Sequence, residues 1–177
     1  MKIILLMVTS LDGKTTRWNE SRIFQWTSKE DQDNFSSLIK KKSLLIMGRK
    51  TFDAAKKMIK LSPKILHVVF TTEPEKYLDL VVPGQLEFVN GSAINIINKL
   101  DDRGYKEALL LGGEHLNTEF FKEKLVNEVW LTLEPYLFGI GNQLVLSEKL
   151  NIDLTLQSIT KLNKKGTLLL KYEANKN

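Results

Sequence analysis

The chain has 177 residues, 42% hydrophobic and 27% charged, with 26 Lys+Arg against 21 Asp+Glu for a formal net charge of +5, no cysteine and two histidines. Thiolate nucleophiles, iron–sulfur clusters and cysteine-ligated zinc are excluded, and His67 and His115 alone do not make a multi-histidine site, so no metal is expected. A chain of this length buries roughly two-thirds of the surface it exposes when unfolded, and residues 1–177 are expected to form one domain.

In chain order, Met1 to Val8 resembles the apolar part of a secretory leader. Only Lys2 precedes the run and Asp12 follows without a small-residue cleavage site, so it reads as a buried strand. No stretch approaches the roughly 18 apolar residues of a membrane span, and the expected location is the cytoplasm, with no membrane partner. Buried strands are predicted at Ile3 to Val8, Ser43 to Met47, Ile65 to Thr71, Leu86 to Val89 and Ala108 to Leu111. Between them lie amphipathic stretches predicted as helices at 28–42, 50–59, 92–103 and 114–125, with Thr27 or Ser28 capping the first and Ser92 the third. Lys40, Lys41 and Lys42 close the first helix and suit its negative end. After residue 126 the pattern changes: Val129 to Leu133 alternates, Leu154 to Thr160 is strand-like, and a turn at Asn163 to Gly166 leads into Thr167 to Tyr172. The expectation is a three-layer α/β domain, a central mostly parallel sheet flanked by helices, with these last strands added as an antiparallel edge.

The basic excess favours an anionic partner. The lysines are dispersed and the aromatics do not interleave with them, which argues against nucleic acid and for a small molecule. Two strand-to-helix junctions suit phosphate. In Leu111-Gly112-Gly113-Glu114 two glycines allow close approach to the backbone at a helix N-terminus, although a tight turn needing positive φ accounts for them equally well. In Gly48-Arg49-Lys50-Thr51 two cations stand where a helix dipole disfavours them, and a bound phosphate would compensate. Thr71 and Thr72 end the next strand and add hydroxyls at the same sheet edge. The G-x-G-x-x-G fingerprint is absent, which disfavours an ordinary Rossmann dehydrogenase. Asp12-Gly13 is a turn signal, and Trp18 and Trp26 either stack on a planar ring or cover the core.

The ordered set Ser10-Leu11-Asp12-Gly13-Lys14, Trp26-Thr27-Ser28-Lys29-Glu30-Asp31, Met47 to Phe52, Gly112-Gly113-Glu114 and Glu128 to Pro135 with Gly139 and Gly141 resembles the dihydrofolate reductase superfold. Within it, the set is similar to the pyrimidine reductases of riboflavin biosynthesis. The resemblance implies NADPH as hydride donor, with Gly48, Arg49, Lys50 and Thr51 on its phosphates, Thr71 and Thr72 near the 2′-phosphate, and Gly112, Gly113 and Glu114 under the pyrophosphate. It places Asp12 and Lys14 beside the substrate as candidate catalytic residues, Trp26 and Glu134 as substrate contacts, and it implies a homodimer. The implied reaction is that of a 5-amino-6-(5-phosphoribosylamino)uracil reductase. The zinc deaminase often fused to such reductases lacks its His/Cys ligands in this chain. The alternatives are dihydrofolate reduction, for which Glu30 or Asp31 would be the carboxylate on the first helix, and a noncatalytic nucleotide-binding or interaction module of the same fold.

Overall fold

Five of the apolar runs become strands that are buried on both faces because helices cover each side of the sheet they form. The computed structural model describes residues 1–20 and 22–175. Its strands are β1 (Lys2–Ser10), β2 (Leu44–Gly48), β3 (Leu66–Phe70), β4 (Leu86–Val89), β5 (Glu107–Leu110), β6 (Glu128–Glu134), β7 (Leu154–Lys161) and β8 (Leu168–Ala174). They lie in one sheet in the order β4-β3-β2-β5-β1-β6-β8-β7.

Alternation along β1 shows how the layers are specified. Ile3 and Leu5 pack with α3 (Ala93–Asp102) and α4 (Glu114–Lys122), through Ile97, Leu100 and Phe120 among others. Ile4 and Leu6 point the other way, into a cluster with Phe52 of α2 (Arg49–Ala55) and Phe35 and Leu38 of α1 (Lys29–Ile39). Among the described residues, no helix is long and apolar enough to cross a membrane.

Four expectations are corrected. The alternating run after residue 126 does not begin an antiparallel edge: β6 pairs in parallel with β1 from Ile4↔Glu128 to Ser10↔Glu134, and β8 alone runs against its neighbours, β6 and β7. Alternation there reflects unequal cover on the two faces rather than strand direction. The second helix ends at Ala55 and not near residue 59, and the first ends at Ile39, which leaves Lys41 and Lys42 outside it. Ser28 caps α1, its hydroxyl accepting from the Asp31 amide, but the Ser92 hydroxyl caps nothing. The amides of Ala93 and Ile94 donate instead to Glu119 Oε1 at 2.9 Å and Glu123 Oε2 at 2.8 Å, carboxylates from the last turn of α4 and from the residue that follows it, which meet the positive end of α3 with a full charge.

Because β1, β2, β3, β5 and β6 run the same way, Ser10, Gly48, Phe70, Leu110 and Glu134 all end at one edge of the sheet, where ligands of open α/β folds collect.

Candidate functional site

The first half of the site lies where β2 and β5 end side by side. The Gly48 amide donates to the Gly112 carbonyl at 2.7 Å, and a Cβ built on Gly48 would lie 3.7 Å from Gly112 O and Gly113 N. A Cβ on Gly113 would stand 3.4 Å from Thr51 Oγ1. Gly112 has φ +87° and its peptide bond to Gly113 is cis; a Cβ at Gly112 would meet Met7 Sδ at 2.9 Å. The sequence thus brings Gly48, Thr51, Gly112 and Gly113 together as a shallow, backbone-lined cradle that side chains would fill. Arg49 and Lys50 are exposed at its rim, but Arg49 already has a partner, Asp53 Oδ2 at 3.1 Å one turn on. The charge that seemed to require a phosphate is therefore partly offset within α2. Glu114 turns away from the cradle and accepts from the Gln143 amide at 3.0 Å. Thr71 and Thr72 end the strand beyond β2: the Thr71 hydroxyl accepts from the Glu73 amide, and the Thr72 carbonyl accepts from the Asn90 side chain.

The second half lies at the ends of β1 and β6. Residues 11–18 and 136–143 are laced together by bonds such as Leu11 N to Tyr136 O, Thr15 N to Asn142 O and Trp18 N to Ile140 O. Asp12 is the knot of this lacing. Its carboxylate accepts from Ser10 Oγ at 2.5 Å, from the Gly139 amide at 2.6 Å and from the Phe138 amide at 3.2 Å. The Ser10 hydroxyl bond, followed by the backbone amides, holds its pKa down to about 2. Asp12 is accordingly an anion at neutral pH with its lone pairs occupied, which removes it as a proton donor and makes it the anchor of the 136–141 loop. Lys14 shares the turn; its backbone bonds Ser10, and among the described residues its ammonium meets no carboxylate.

Asp12→Asn puts an amide donor against two backbone donors. The variant is expected to melt below wild type at pH 7. A carboxyl whose folded pKa lies below its unfolded 3.8 stabilises above that value and loses the effect as pH falls toward 2, so the gap should narrow over that range. Coincident melting curves at pH 7 would dismiss the anchor role.

Between the halves, α1 presents Asp31 to β6. Asp31 is 7% exposed, accepts a hydrogen bond from the Thr132 side chain and faces the Glu134 charge. Burial, reinforced by Glu134 and opposed by the Thr132 bond, pushes its pKa up to about 6. Glu134 itself is 1% exposed and satisfied, Oε1 by the Ser28 amide at 2.6 Å and Oε2 by the Thr167 hydroxyl at 2.7 Å. It ties α1 to β6 and β8 and has no oxygen turned to a ligand. Trp26 is 4% exposed and packs edge-on against Phe138, with ring centroids 5.0 Å apart. It covers the core rather than offering an open stacking face, yet its Nε1 donor is buried without a partner. Trp18 is exposed, with Arg17 over its ring.

Thr132 is thus a residue that sequence reasoning left out of the site, and Asp31 is one that it named only for the dihydrofolate alternative, beside Glu30. A signal was there: Asp31 shares a helical stripe with Phe35 and Leu38, the apolar face of α1.

The fold recurs in solved structures. A putative riboflavin biosynthesis protein from Shewanella sp. PV-4 superposes with a TM-score of 0.79 at 22% identity, covering 99% of this chain and 100% of that one. A Thermotoga maritima diaminohydroxyphosphoribosylaminopyrimidine deaminase/5-amino-6-(5-phosphoribosylamino)uracil reductase superposes at 0.75 with 14% identity over 98% of this chain and 56% of that one. Dihydrofolate reductase from Enterococcus faecalis, solved with NADP(H), gives 0.67 at 17% identity, covering 99% and 97%. This chain spans about half the length of the second protein. Residues 1–168 match the RibD C-terminal domain, and with the glycine cradle and the laced loops at the expected strand ends, the chain belongs to that reductase family.

Proposed function

We propose that the protein is an NADPH-dependent reductase acting on a phosphoribosylaminopyrimidine, whose opened ribose it reduces to a ribityl chain. The observation that supports this reading is the cradle of Gly48, Thr51, Gly112 and Gly113, where the absence of Cβ atoms lets a dinucleotide pyrophosphate approach the backbone beside the Thr51 hydroxyl. When bound there, NADPH supplies the hydride; the chain supplies position and a proton. Arg49 and Lys50 at the rim bind phosphate oxygens, with Arg49 exchanging Asp53 for the 2′-phosphate and Thr71 and Thr72 flanking it. Lys14 pairs with an anionic substrate group. Asp31, protonated more readily than an ordinary carboxyl, holds the proton for the reduced centre, and Thr132 orients it. Asp12 keeps Phe138 and the loop around it in place, and Trp26 closes the floor.

One observation favours a second reading, reduction of a pterin: the buried Asp31 on the first helix is the carboxylate that dihydrofolate reduction needs. Oxidation of NADPH followed by absorbance, with the aminopyrimidine and separately with dihydrofolate, decides between them. Turnover of neither substrate leaves a binding module.

The cofactor assignment has its own check. NADPH at a hundred times its Kd adds about 2.7 kcal/mol, a melting shift of roughly 5 to 10 °C, and NADH should add less. In Arg49→Ala the difference between the two is expected to shrink; an unchanged difference would move the 2′-phosphate away from Arg49.

A further inference from the structure

In two places in the sequence a glycine follows an aspartate or asparagine, Asp12-Gly13 and Asn90-Gly91. Such a side chain is open to attack by the next backbone nitrogen, because its carbonyl carbon lies one five-membered ring away and glycine has no Cβ to block the approach. The fold closes this route at the first pair. The Gly13 amide donates to the Ser10 carbonyl at 3.0 Å, and the Asp12 carboxylate is an anion held by Ser10, Phe138 and Gly139. A carboxylate is a poor electrophile, and this one is also fixed in place.

At the second pair the route is open. Asn90 is exposed directly after β4, and its side chain makes one long bond, Nδ2 donating to the Thr72 carbonyl at 3.4 Å. Among the described residues its side-chain oxygen accepts nothing and the Gly91 N–H donates to nothing, so the attacking nitrogen has no bond to break first. Gly91 has φ +142°, a conformation that keeps the position without a side chain.

We propose that Asn90 is a site of spontaneous modification, which converts it to aspartate and isoaspartate and thereby lowers the protein's preference for NADPH. Base removes the Gly91 N–H proton, the nitrogen attacks Cγ of Asn90, the Cγ–Nδ2 bond breaks and ammonia leaves, giving a five-membered imide. Water then opens the ring. Attack at Cγ restores the backbone and leaves aspartate; attack at the backbone carbonyl carbon leaves isoaspartate, with the chain rerouted through Cγ. Water enters, ammonia leaves, and nothing is oxidised or reduced. Either product replaces a hydrogen-bond donor by a negative charge beside the Thr72 carbonyl that accepted from it. The effect on the cofactor rests on the reading that Thr71 and Thr72 flank the 2′-phosphate: a carboxylate there repels NADPH and leaves NADH, which lacks that phosphate, unaffected. The change runs one way, and it runs faster as pH rises because the attacking nitrogen must lose its proton.

The test is peptide mass mapping of the full chain held in warm, mildly alkaline buffer. The peptide containing Asn90 is expected to gain the mass of NH2 exchanged for OH, faster at higher pH, while Asp12 gives no isoaspartate. Asn90→Gln should lack the change, because its longer side chain would have to close a six-membered ring. An Asn90 that keeps its amide as long as the other asparagines do overturns the proposal, and this measurement needs no cofactor. Asn90→Asp, one of the two products, is then compared with wild type: NADPH binding should weaken about 3- to 10-fold and NADH binding should not change. Unchanged NADPH binding overturns the effect on cofactor choice. If Arg49→Ala still narrows the difference between the cofactors, the phosphate site stands and Asn90 does not face it; if neither variant narrows it, the placement of the 2′-phosphate is what has failed.

Discussion

Asp31→Asn is expected to lower turnover by about 10²–10⁴-fold, the range that a positioned proton donor contributes, while making the protein more stable at neutral pH. The two effects have one origin. Asp31 is buried with one side-chain hydrogen bond, from Thr132, and faces Glu134, so its ionised form is disfavoured and its pKa stands at about 6 against 3.8 when unfolded. Between those values the folded state binds the extra proton, and stability falls as pH rises through the interval. Above it, the cost of keeping Asp31 charged is on the order of 1 to 3 kcal/mol, which Asn does not incur. The variant should therefore melt several degrees above wild type at pH 7, and the gain should vanish near pH 4. Wild-type turnover should fall as pH rises above about 6, and this limb should disappear in the variant. A variant that keeps full turnover and the same pH profile would return the proton to solvent and leave Asp31 as a packing residue.

Gly141→Ala is expected to cost about 2 to 4 kcal/mol and to abolish the site, while Gly139→Ala, two residues away, should cost about 1 to 2. Both glycines have positive φ, +157° at Gly141 and +70° at Gly139. A Cβ at Gly139 meets nothing within 4 Å, whereas one at Gly141 would sit 2.0 Å from the Thr16 carbonyl oxygen. That oxygen belongs to the backbone, so no rotamer change relieves the clash, and the 11–18 and 136–143 segments must part. Thermal melts order the two variants. Faster amide exchange confined to these two segments in Gly141→Ala would locate the damage, and similar melting of both variants would show that the loops were never tightly laced.

Most of the fold was legible because burial on both faces writes itself as unbroken apolar runs. Leu86 to Val89 coincides with β4, and Ile3 to Val8 falls within β1. Strand direction after residue 126 was not legible: Val129 to Leu133 alternates whether its partner is parallel or antiparallel, and only the pairing with β1 decides. The site was legible as a set of positions and less so as roles. Gly112 and Gly113 carry their signal in the backbone, and the fold sets them beside Gly48 and Thr51. Asp12, Glu114 and Glu134 are acidic residues near the expected ligand, but Asp12 and Glu134 spend both oxygens, and Glu114 one, on backbone amides or hydroxyls, and composition cannot distinguish a carboxylate that holds a loop from one that meets a substrate. Asp31 was obscured for the opposite reason: in the first turn of a helix an acid is explained by the helix dipole, and only its stripe with Phe35 and Leu38 turns it inward.

The position of β1 also sets the order in which the chain can fold. It is the first strand made, yet its neighbours in the sheet are β5 and β6, which begin at Glu107 and Glu128. At roughly 5–20 residues per second, a ribosome leaves the edges of Ile3 to Val8 unpaired for about 5 to 25 s before the second of them emerges. During that interval the most apolar segment of the sheet is an open template for other nascent chains. Overproduction should therefore be limited by how many nascent chains expose this strand at once rather than by the stability of the finished protein, and fewer initiations at unchanged elongation speed, with holdases abundant, is the condition under which soluble yield should rise.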